Sequence, residues 1–382
     1  MPLNITHINT VSHVGGAAKV MTRLVKFQRE KGHLCKMLIS GYKQKRVPLI
    51  FDGTDYLPPT VEEIMNHPYI KKADVIHLHN LHGGEYFNMN VLPKLSKAKK
   101  VIWTLHDMWA FTGHCCYSLE CNDWHTECKK CMHTDYVQAI ESDCAGELFE
   151  KKRKIYKDSK LTIVTPSKWL LDLVSCSVLK NHPLHLICNA VDTKVFYPKR
   201  DKLICRRKFS LPTDKFIIGS SANGGVLLNG NKGGKYIREI MKLLAGKDVV
   251  FANFGALETS IEGNIYNIEN IIDEDELMQA YNTMDAMVHT PYSENCPLIL
   301  LEAAACAVPI IVFNVGGCAE LVSHFNTGYV VNNYNCKTAA TYVSYLMENR
   351  NVLDNISRQI HEYALKNFDI VGHYEKYLRL YR

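Results

Sequence analysis

Short apolar runs that stop at turn residues alternate along this chain with longer stretches of helical period, a pattern that predicts βα units built on parallel sheets. Over the first half the runs predict strands at Ile5–Asn9, Cys35–Ser40, Asp74–Asn80, Lys100–His106, Leu161–Pro166 and Leu184–Asn189, with helical pattern such as Ala17–Lys31 between them. The series restarts after Asn189–Asp201, with strands at Phe216–Ser221, Val249–Gly255, Ala286–Thr290, Pro309–Phe313 and Gly328–Val331. Two doubly wound α/β sheets in tandem is the economical arrangement. The polar, proline-containing stretch around residues 192–203 suits a hinge between them. Open sheets bind ligands beyond the carboxyl ends of their strands, so two such sheets facing each other predict an interdomain cleft with the chemistry at strand ends.

Composition narrows this without changing it. The chain has 382 residues, 45 Lys+Arg against 39 Asp+Glu and 47% hydrophobic residues, which excludes a disordered, collagen-like or single small domain. At roughly 100–200 residues per domain, two domains are expected. The net charge of +6 is too mild and too evenly spread for a dedicated nucleic-acid binder, so no nucleic-acid partner is expected. No window approaches the ~18 consecutive apolar residues of a membrane span, and the start MPLNITHINTVSHVGG lacks the order of a signal peptide, which predicts a cytoplasmic protein. In that compartment the 14 cysteines are free or bind metal; Cys188 and Cys306, inside apolar runs, suit packing.

The most informative stretch is Pro291–Ala307, PYSENCPLILLEAAACA, after the strand AMVHT. Pro297 fits the first helical position, so Leu298–Ala307 predicts a helix whose N-terminal N–H groups point back at Ser293–Cys296 and form an anion site. Glu294 stands just ahead of that helix and Glu302 in its second turn, side chain leaning back, so both carboxylates can face one ligand. Glu302 interrupts an apolar run, where a carboxylate costs on the order of several kcal/mol unless a partner or ligand hydroxyls satisfy it. A solvent-facing Glu302, or one paired with a structural Lys or Arg, is the plainer alternative. Two carboxylates flanking an anion site suit a nucleotide sugar.

Other segments fall at strand ends. Ser220–Lys235, SSANGGVLLNGNKGGK, has glycines that allow close backbone approach, and Lys232 supplies charge for a diphosphate ahead of a helix at Tyr236–Leu244. The P-loop pattern is absent, and simple turn chemistry is the alternative. Gly15 and Gly16, in SHVGGAAKV, lack the G-x-G-x-x-G of a nicotinamide or flavin dehydrogenase. They either let a ligand cross the cleft floor or let strand and helix pack closely. His106, the last residue of the strand ending WTLH, is placed to donate to developing charge or shuttle a proton. His77 and His79, in HLHNLHGG (77–84), suit structural hydrogen bonds instead. The loop GHCCYSLECNDWHTECKKC spaces Cys115, Cys121, Cys128 and Cys131 as C-x5-C-x6-C-x2-C, with one knuckle of the zinc-binding type. A long loop poor in apolar residues would gain order from a tetrahedral structural zinc. Four unlinked thiols are the alternative; Cys116 is an extra thiol, and His114 or His125 could replace one sulfur.

The stretch IIDEDELMQAYNTMDAMVHTPYSENCPLILLEAAACAVPIIVFNVGGCAELV, with its E-x7-E pair Glu294 and Glu302, resembles the nucleotide-sugar signature of the retaining glycosyltransferases of family 4. The GG turn, WTLHD and the NAVD linker are similar too, so the likeness covers most of the chain. The resemblance implies the GT-B architecture: two facing Rossmann-like, doubly wound parallel-sheet domains with an interdomain cleft. Residues 1–192 would bind the acceptor and 193–365 the donor, with a C-terminal helix at 366–382 packing back on the first domain. It gives Glu294 the transferred sugar and Glu302 the ribose hydroxyls, and it assigns the diphosphate to backbone N–H groups along Asn295, Cys296, Pro297 and Leu298, with Lys232 neutralising its charge. Gly15 and Gly16 would lie under the donor phosphates, His106 near the sugar, and the base near Ile271–Glu276. Many family members carry an arginine a few residues before the lysine–glycine pair; here Asn231 precedes Lys232 and no arginine is present, which leaves more of the phosphate charge to Lys232 and the helix dipole.

The implied reaction is a hexosyltransferase-type transfer (EC 2.4) from a nucleoside diphosphate sugar to a hydroxyl of a glycan or polyprenyl-linked acceptor, with retention at the anomeric carbon. The cysteine-rich insertion resembles a subgroup serving capsule, exopolysaccharide or O-antigen synthesis. No DxD-like acidic pair stands at a strand end, so catalysis is expected to need no cofactor, with zinc in a structural role. A sugar-nucleotide epimerase on the same scaffold, or an inactive sugar-nucleotide-binding subunit, are the competing functions. The basic segments Lys94–Lys100 and Lys151–Lys160 suggest peripheral contact with the inner membrane at about 1 kcal/mol per basic residue, solvated helix faces being the alternative.

Overall fold

The computed structural model describes residues 1–40, 51–82, 87–135, 139–140 and 142–382. Gly83 and Gly84 of the HLHNLHGG segment lie outside the described residues. The chain divides into two compact units, Met1–Cys188 with His373–Arg382, and Asn189–Gly372.

The first unit is built on β1 (Asn4–Asn9), β2 (Leu34–Ser40), β3 (Thr54–Leu57), β4 (Val75–Leu78), β5 (Lys100–Thr104), β6 (Leu161–Thr165) and β7 (Leu184–Leu186). They pair in parallel in the order β3-β2-β1-β4-β5-β6-β7. Parallel neighbours need crossovers that cover the faces of the sheet, so the central strands are buried on both sides. Ile5, Ile8, Ile76, Leu78 and Ile102 are indeed fully buried. The chain adds strands first to one side of β1 and then, from β4 onward, to the other, so a topological switch point lies between β1 and β4. Helix α1 (Gly16–Glu30) leaves β1 and buries Ala18, Met21 and Val25, the i, i+3, i+7 stripe its sequence predicts. Helix α2 (Ala145–Lys157) leads into β6.

The second unit repeats the plan with β8 (Phe216–Ser221), β9 (Val249–Ala256), β10 (Ser260–Glu262), β11 (Ile265–Glu269), β12 (Ala286–His289), β13 (Ile310–Phe313) and β14 (Gly328–Val331). The order is β10-β11-β9-β8-β12-β13-β14, parallel except for the short β10 hairpin on β11. Its switch point lies between β8 and β12. Helix α3 (Gly234–Leu243) follows β8, and α4 (Glu274–Tyr281) begins at Asp273, whose side chain accepts from the Glu276 N–H. Helix α5 (Leu298–Ala305), apolar all round apart from Glu302, is buried along nearly its whole length. Helix α6 (Ile370–Tyr381) ends in the first unit, where Tyr374, Tyr377 and Tyr381 are buried.

Three expectations need correction. β5 ends at Thr104, so His106 lies in the loop beyond it: the Leu105 N–H, on the Val164 carbonyl of β6, makes the last bond to the neighbouring strand. Pro297 is the N-cap of α5, in extended backbone (ψ 125°), rather than its first helical residue. Three lysines assigned to lipid are tied to the protein's own backbone. Lys152 is buried, Lys99 Nζ donates to the Lys71 and Ala73 carbonyls at 2.7 Å, and Lys100 Nζ donates to that of Tyr381 at 3.2 Å. Lys151, Lys154, Lys157 and Lys160 remain exposed. Among the described residues no helix is long and apolar enough to cross a membrane.

Candidate functional site

In the second unit, two residues 62 positions apart meet at the switch point: Lys232, in the loop after β8, forms an ion pair with Glu294, in the loop after β12. Glycines without room for a Cβ make the approach possible. Gly233 (φ +73°) would place a Cβ 1.7 Å from the Thr290 carbonyl oxygen, and Gly316 (φ +54°) would place one 1.8 Å from that of Glu294. The loops are also laced together, the Tyr292 N–H donating to the Asn231 carbonyl at 3.0 Å. Burial opposes both charges, and each partner outweighs it for the other. The Lys232 pKa is therefore raised and the Glu294 pKa lowered, so the pair is ionised.

Around the pair, the Asn295 N–H donates to the Glu294 carboxylate. Asn295, Cys296 and Leu298 are buried, and Pro297, as proline, has no N–H to offer a ligand. No side-chain cap closes the N-terminus of α5 among the described residues. Glu302 is 1% exposed, and one of its oxygens accepts from the Tyr281 hydroxyl at 2.6 Å, so it turns inward rather than to solvent. Two residues that sequence reasoning passed over belong here. Asn189 Nδ2 donates to the Cys296 carbonyl at 2.9 Å and so fixes the loop ahead of α5. His289, the last residue of β12, is buried with no partner on either ring nitrogen among the described residues. Burial lowers its pKa to about 4, so it is neutral. It stands at a strand end, the signal that singled out His106.

The first unit's switch point holds a different device. Gln28 Nε2 donates to the Tyr381 hydroxyl at 2.9 Å, which leaves Gln28 Oε1 to accept from His7 Nε2 at 2.9 Å. His7 Nδ1 lies 3.1 Å from His79 Nε2, and His79 Nδ1 lies 3.1 Å from His106 Nε2. Burial lowers the pKa of His7 and His106 to about 4 and takes His79 well below its ordinary value, so all three are neutral with one N–H each. With the amide oriented in this way, the protons are assigned in turn: each ring carries its proton on Nε2 and donates inward. His77 is satisfied separately by the Tyr381 hydroxyl and Thr104 Oγ1, both at 2.8 Å. Beside His106, Asp107 accepts from His82 Nε2 at 2.8 Å and from the Trp109 N–H at 2.9 Å.

Gly15 (φ +87°) is the N-cap of α1, and a Cβ on either Gly15 or Gly16 would meet nothing within 4 Å. Close strand–helix packing is therefore not what these glycines serve; the space beside them is open. The cysteines of the loop before α2 are free thiols, Cys115 and Cys128 buried, Cys121 and Cys131 half-buried.

Residues 230–366, which include Lys232, Glu294 and Glu302, match the family model described as glycosyl transferases group 1. The chain is 27% identical over 257 residues to WcaC, a candidate colanic acid biosynthesis glycosyl transferase of Escherichia coli (strain K12). That alignment covers 65% of this chain and 62% of WcaC, so the chain spans less than two thirds of this relative. Among solved structures, sucrose-phosphate synthase of Thermosynechococcus elongatus superposes with a TM-score of 0.72 at 15% identity, over 99% of this chain and 98% of that one. Anabaena HepE, in complex with UDP and glucose, does so with a TM-score of 0.69 at 13% identity, over 99% and 98%. These likenesses establish the GT-B fold.

Proposed function

We propose that this chain is a retaining glycosyltransferase that moves a hexosyl group from a nucleoside diphosphate sugar to a hydroxyl of a glycan or polyprenyl-linked acceptor in surface-polysaccharide synthesis. The observation that carries this is the Lys232–Glu294 pair beside the N-terminus of α5, with Glu302 buried one helical turn further on. A diphosphate outbids a single carboxylate for a lysine, so donor binding draws Lys232 onto the phosphates and frees Glu294 to accept from the sugar hydroxyls. The N–H groups opening α5 then meet the charge that grows on the leaving diphosphate. Glu302 accepts from the ribose hydroxyls, and the unpartnered His289 donates its single N–H to a phosphate oxygen. In the first unit, His106 hydrogen-bonds a sugar hydroxyl. The departing phosphate takes the acceptor proton, so neither glutamate acts as nucleophile. HepE with UDP and glucose and WcaC in colanic acid biosynthesis support the donor and acceptor classes by likeness.

A thermal-shift screen against nucleoside diphosphate sugars tests the donor site. The true donor raises Tm, since a ligand of the native state stabilises it, and Glu302→Ala removes that shift while keeping the native circular dichroism. A shift that survives in Glu302→Ala overturns the site. NMR of the product then shows the donor's anomeric configuration kept; an inverted product, or turnover of the sugar nucleotide without acceptor, overturns the reaction.

A further inference from the structure

The loop between β5 and α2 concentrates chemistry that the transfer reaction does not use. His114 Nε2, Cys115 Sγ and Cys131 Sγ all lie within 4.8 Å of one another. Cys128 is held alongside, its Sγ accepting from the Gly113 N–H at 3.3 Å, and Cys131 Sγ accepts from the His133 N–H at 3.4 Å. Cys121 comes to the set by its spacing, C-x5-C-x6-C-x2-C. Cys115, Cys128 and Cys131, the last two already receiving backbone N–H donors, thus stand in a segment whose described residues form no regular structure beyond short 3₁₀ turns.

Charge points the same way. Lys152 is 5% exposed, and its Nζ donates to the carbonyls of Trp109, Thr112 and Gly113 at 2.6, 3.0 and 3.1 Å. A buried ammonium held by carbonyls is costly unless negative charge lies near. Burial takes its pKa down to about 7, and Cys116, Cys128, Asp107 and Cys115 are the groups that act against that.

We propose that Cys115, Cys121, Cys128 and Cys131 bind one structural zinc ion as thiolates, with His114 outside the ligand set as an N–H donor to the Cys131 sulfur. Distance separates the two roles for His114. With Zn–N about 2.0–2.1 Å and Zn–S about 2.3 Å, a nitrogen and a sulfur on one tetrahedral zinc stand about 3.5 Å apart. His114 Nε2 lies 3.0 Å from Cys131 Sγ, a hydrogen-bond separation, and 3.8 Å from Cys115 Sγ. His125 is occupied elsewhere, stacked on Trp124 with ring centroids 3.7 Å apart. The other two histidine-bearing clusters have their donors committed: His7 and His79 to each other, and His82 to Asp107. The zinc site also reaches the residues around His106, because the Met108 N–H donates to the Cys116 carbonyl at 2.9 Å and Thr112 Oγ1 donates to that of Cys115 at 2.7 Å. Metal binding here is folding free energy for the loop that backs the His106–Asp107 turn.

Elemental analysis of the full chain, purified with reductant and without chelator, tests the site. About one zinc per chain is expected, lost on Cys→Ser substitution at any of the four positions and kept in His114→Ala and Cys116→Ser. Zinc-free protein with all fourteen cysteines reduced overturns the proposal, as does zinc lost in His114→Ala and kept in Cys121→Ser. Because the serine variants can fail to fold, cobalt-loaded wild-type protein supplies a second readout: tetrahedral tetrathiolate absorption is expected, and its absence overturns the assignment.

Discussion

The two switch points solve the burial of polar groups in opposite ways. In the first unit His7, His79 and His106 have given up their charge and satisfy one another in a row that starts at the Gln28 amide. In the second, Lys232 and Glu294 keep theirs, each supplying what burial takes from the other. Side-chain chemistry explains the choice. A neutral imidazole is still both donor and acceptor, so histidines can be chained without any ion. A carboxylate and an ammonium held together need no proton transfer, but neither tolerates the loss of its partner. The first device is therefore exposed to pH, the second to deletion.

Acid probes the contrast most strongly. Buried His7, His77, His79 and His373 and half-buried His106 in the first unit have pKa values below the ordinary 6.5, as does buried His289 in the second. A depressed histidine leaves the unfolded chain binding more protons between the folded and unfolded values. The stability it contributes is present above pH 6.5 and is lost as pH falls toward about 4. At pH 5 the loss is on the order of 1–2 kcal/mol for each of His7, His106, His373 and His289, whose values fall to about 4. Hydrogen exchange at pH 7 and pH 5 should show protection failing first in β1 and β4 and later in β12 and β13; equal loss in both sheets would erase the distinction.

Deletion comes next. Lys232→Met leaves Glu294 buried without its cation and the diphosphate without its lysine, and kcat should fall about 10²–10³-fold, the scale of removing one transition-state charge partner. Steady-state kinetics beside a native melting curve check it, and a loss below tenfold would reduce the pair to a structural one.

The smallest effect lies in the glycines. Gly233→Ala must drive a Cβ into the Thr290 carbonyl and should cost about 1–3 kcal/mol, whereas Gly16→Ala enters open space and should stay within about 0.5 kcal/mol. Thermal melts decide this, with the donor KM of Gly16→Ala reporting whether phosphates pass that surface.

Much of the architecture was legible because each central strand is a short apolar run bounded by turns. The strand ends were overdrawn where the apolar pattern outlasts the ladder, as at Leu105 and Thr290. β3 and β10 were missed because TDYL and SIE are short edge segments that bury little, and β11 because Tyr266 and Asn267 break the apolar run of IYNIE, although Ile265 and Ile268 are buried. Lys232 and Glu294 were each legible as chemistry, but their pairing depends on which loops share a switch point, a property of strand order. The Gln28–His7–His79–His106 row was not legible at all, because its polarity depends on contacts of Gln28 with Cys35 and with a tyrosine 353 residues away.

That separation has a temporal side. During synthesis His7, Gln28, His79 and His106 leave the ribosome well before Tyr381, by roughly 20–70 s for the 353 residues between Gln28 and Tyr381 at ~5–20 residues per second. Through that interval the amide has only the Cys35 thiol, which donates to its oxygen at 3.2 Å, to tell its nitrogen from its oxygen. The arrival of Tyr381 adds the acceptor for the nitrogen, so a proton order begun among early residues is locked by one made much later.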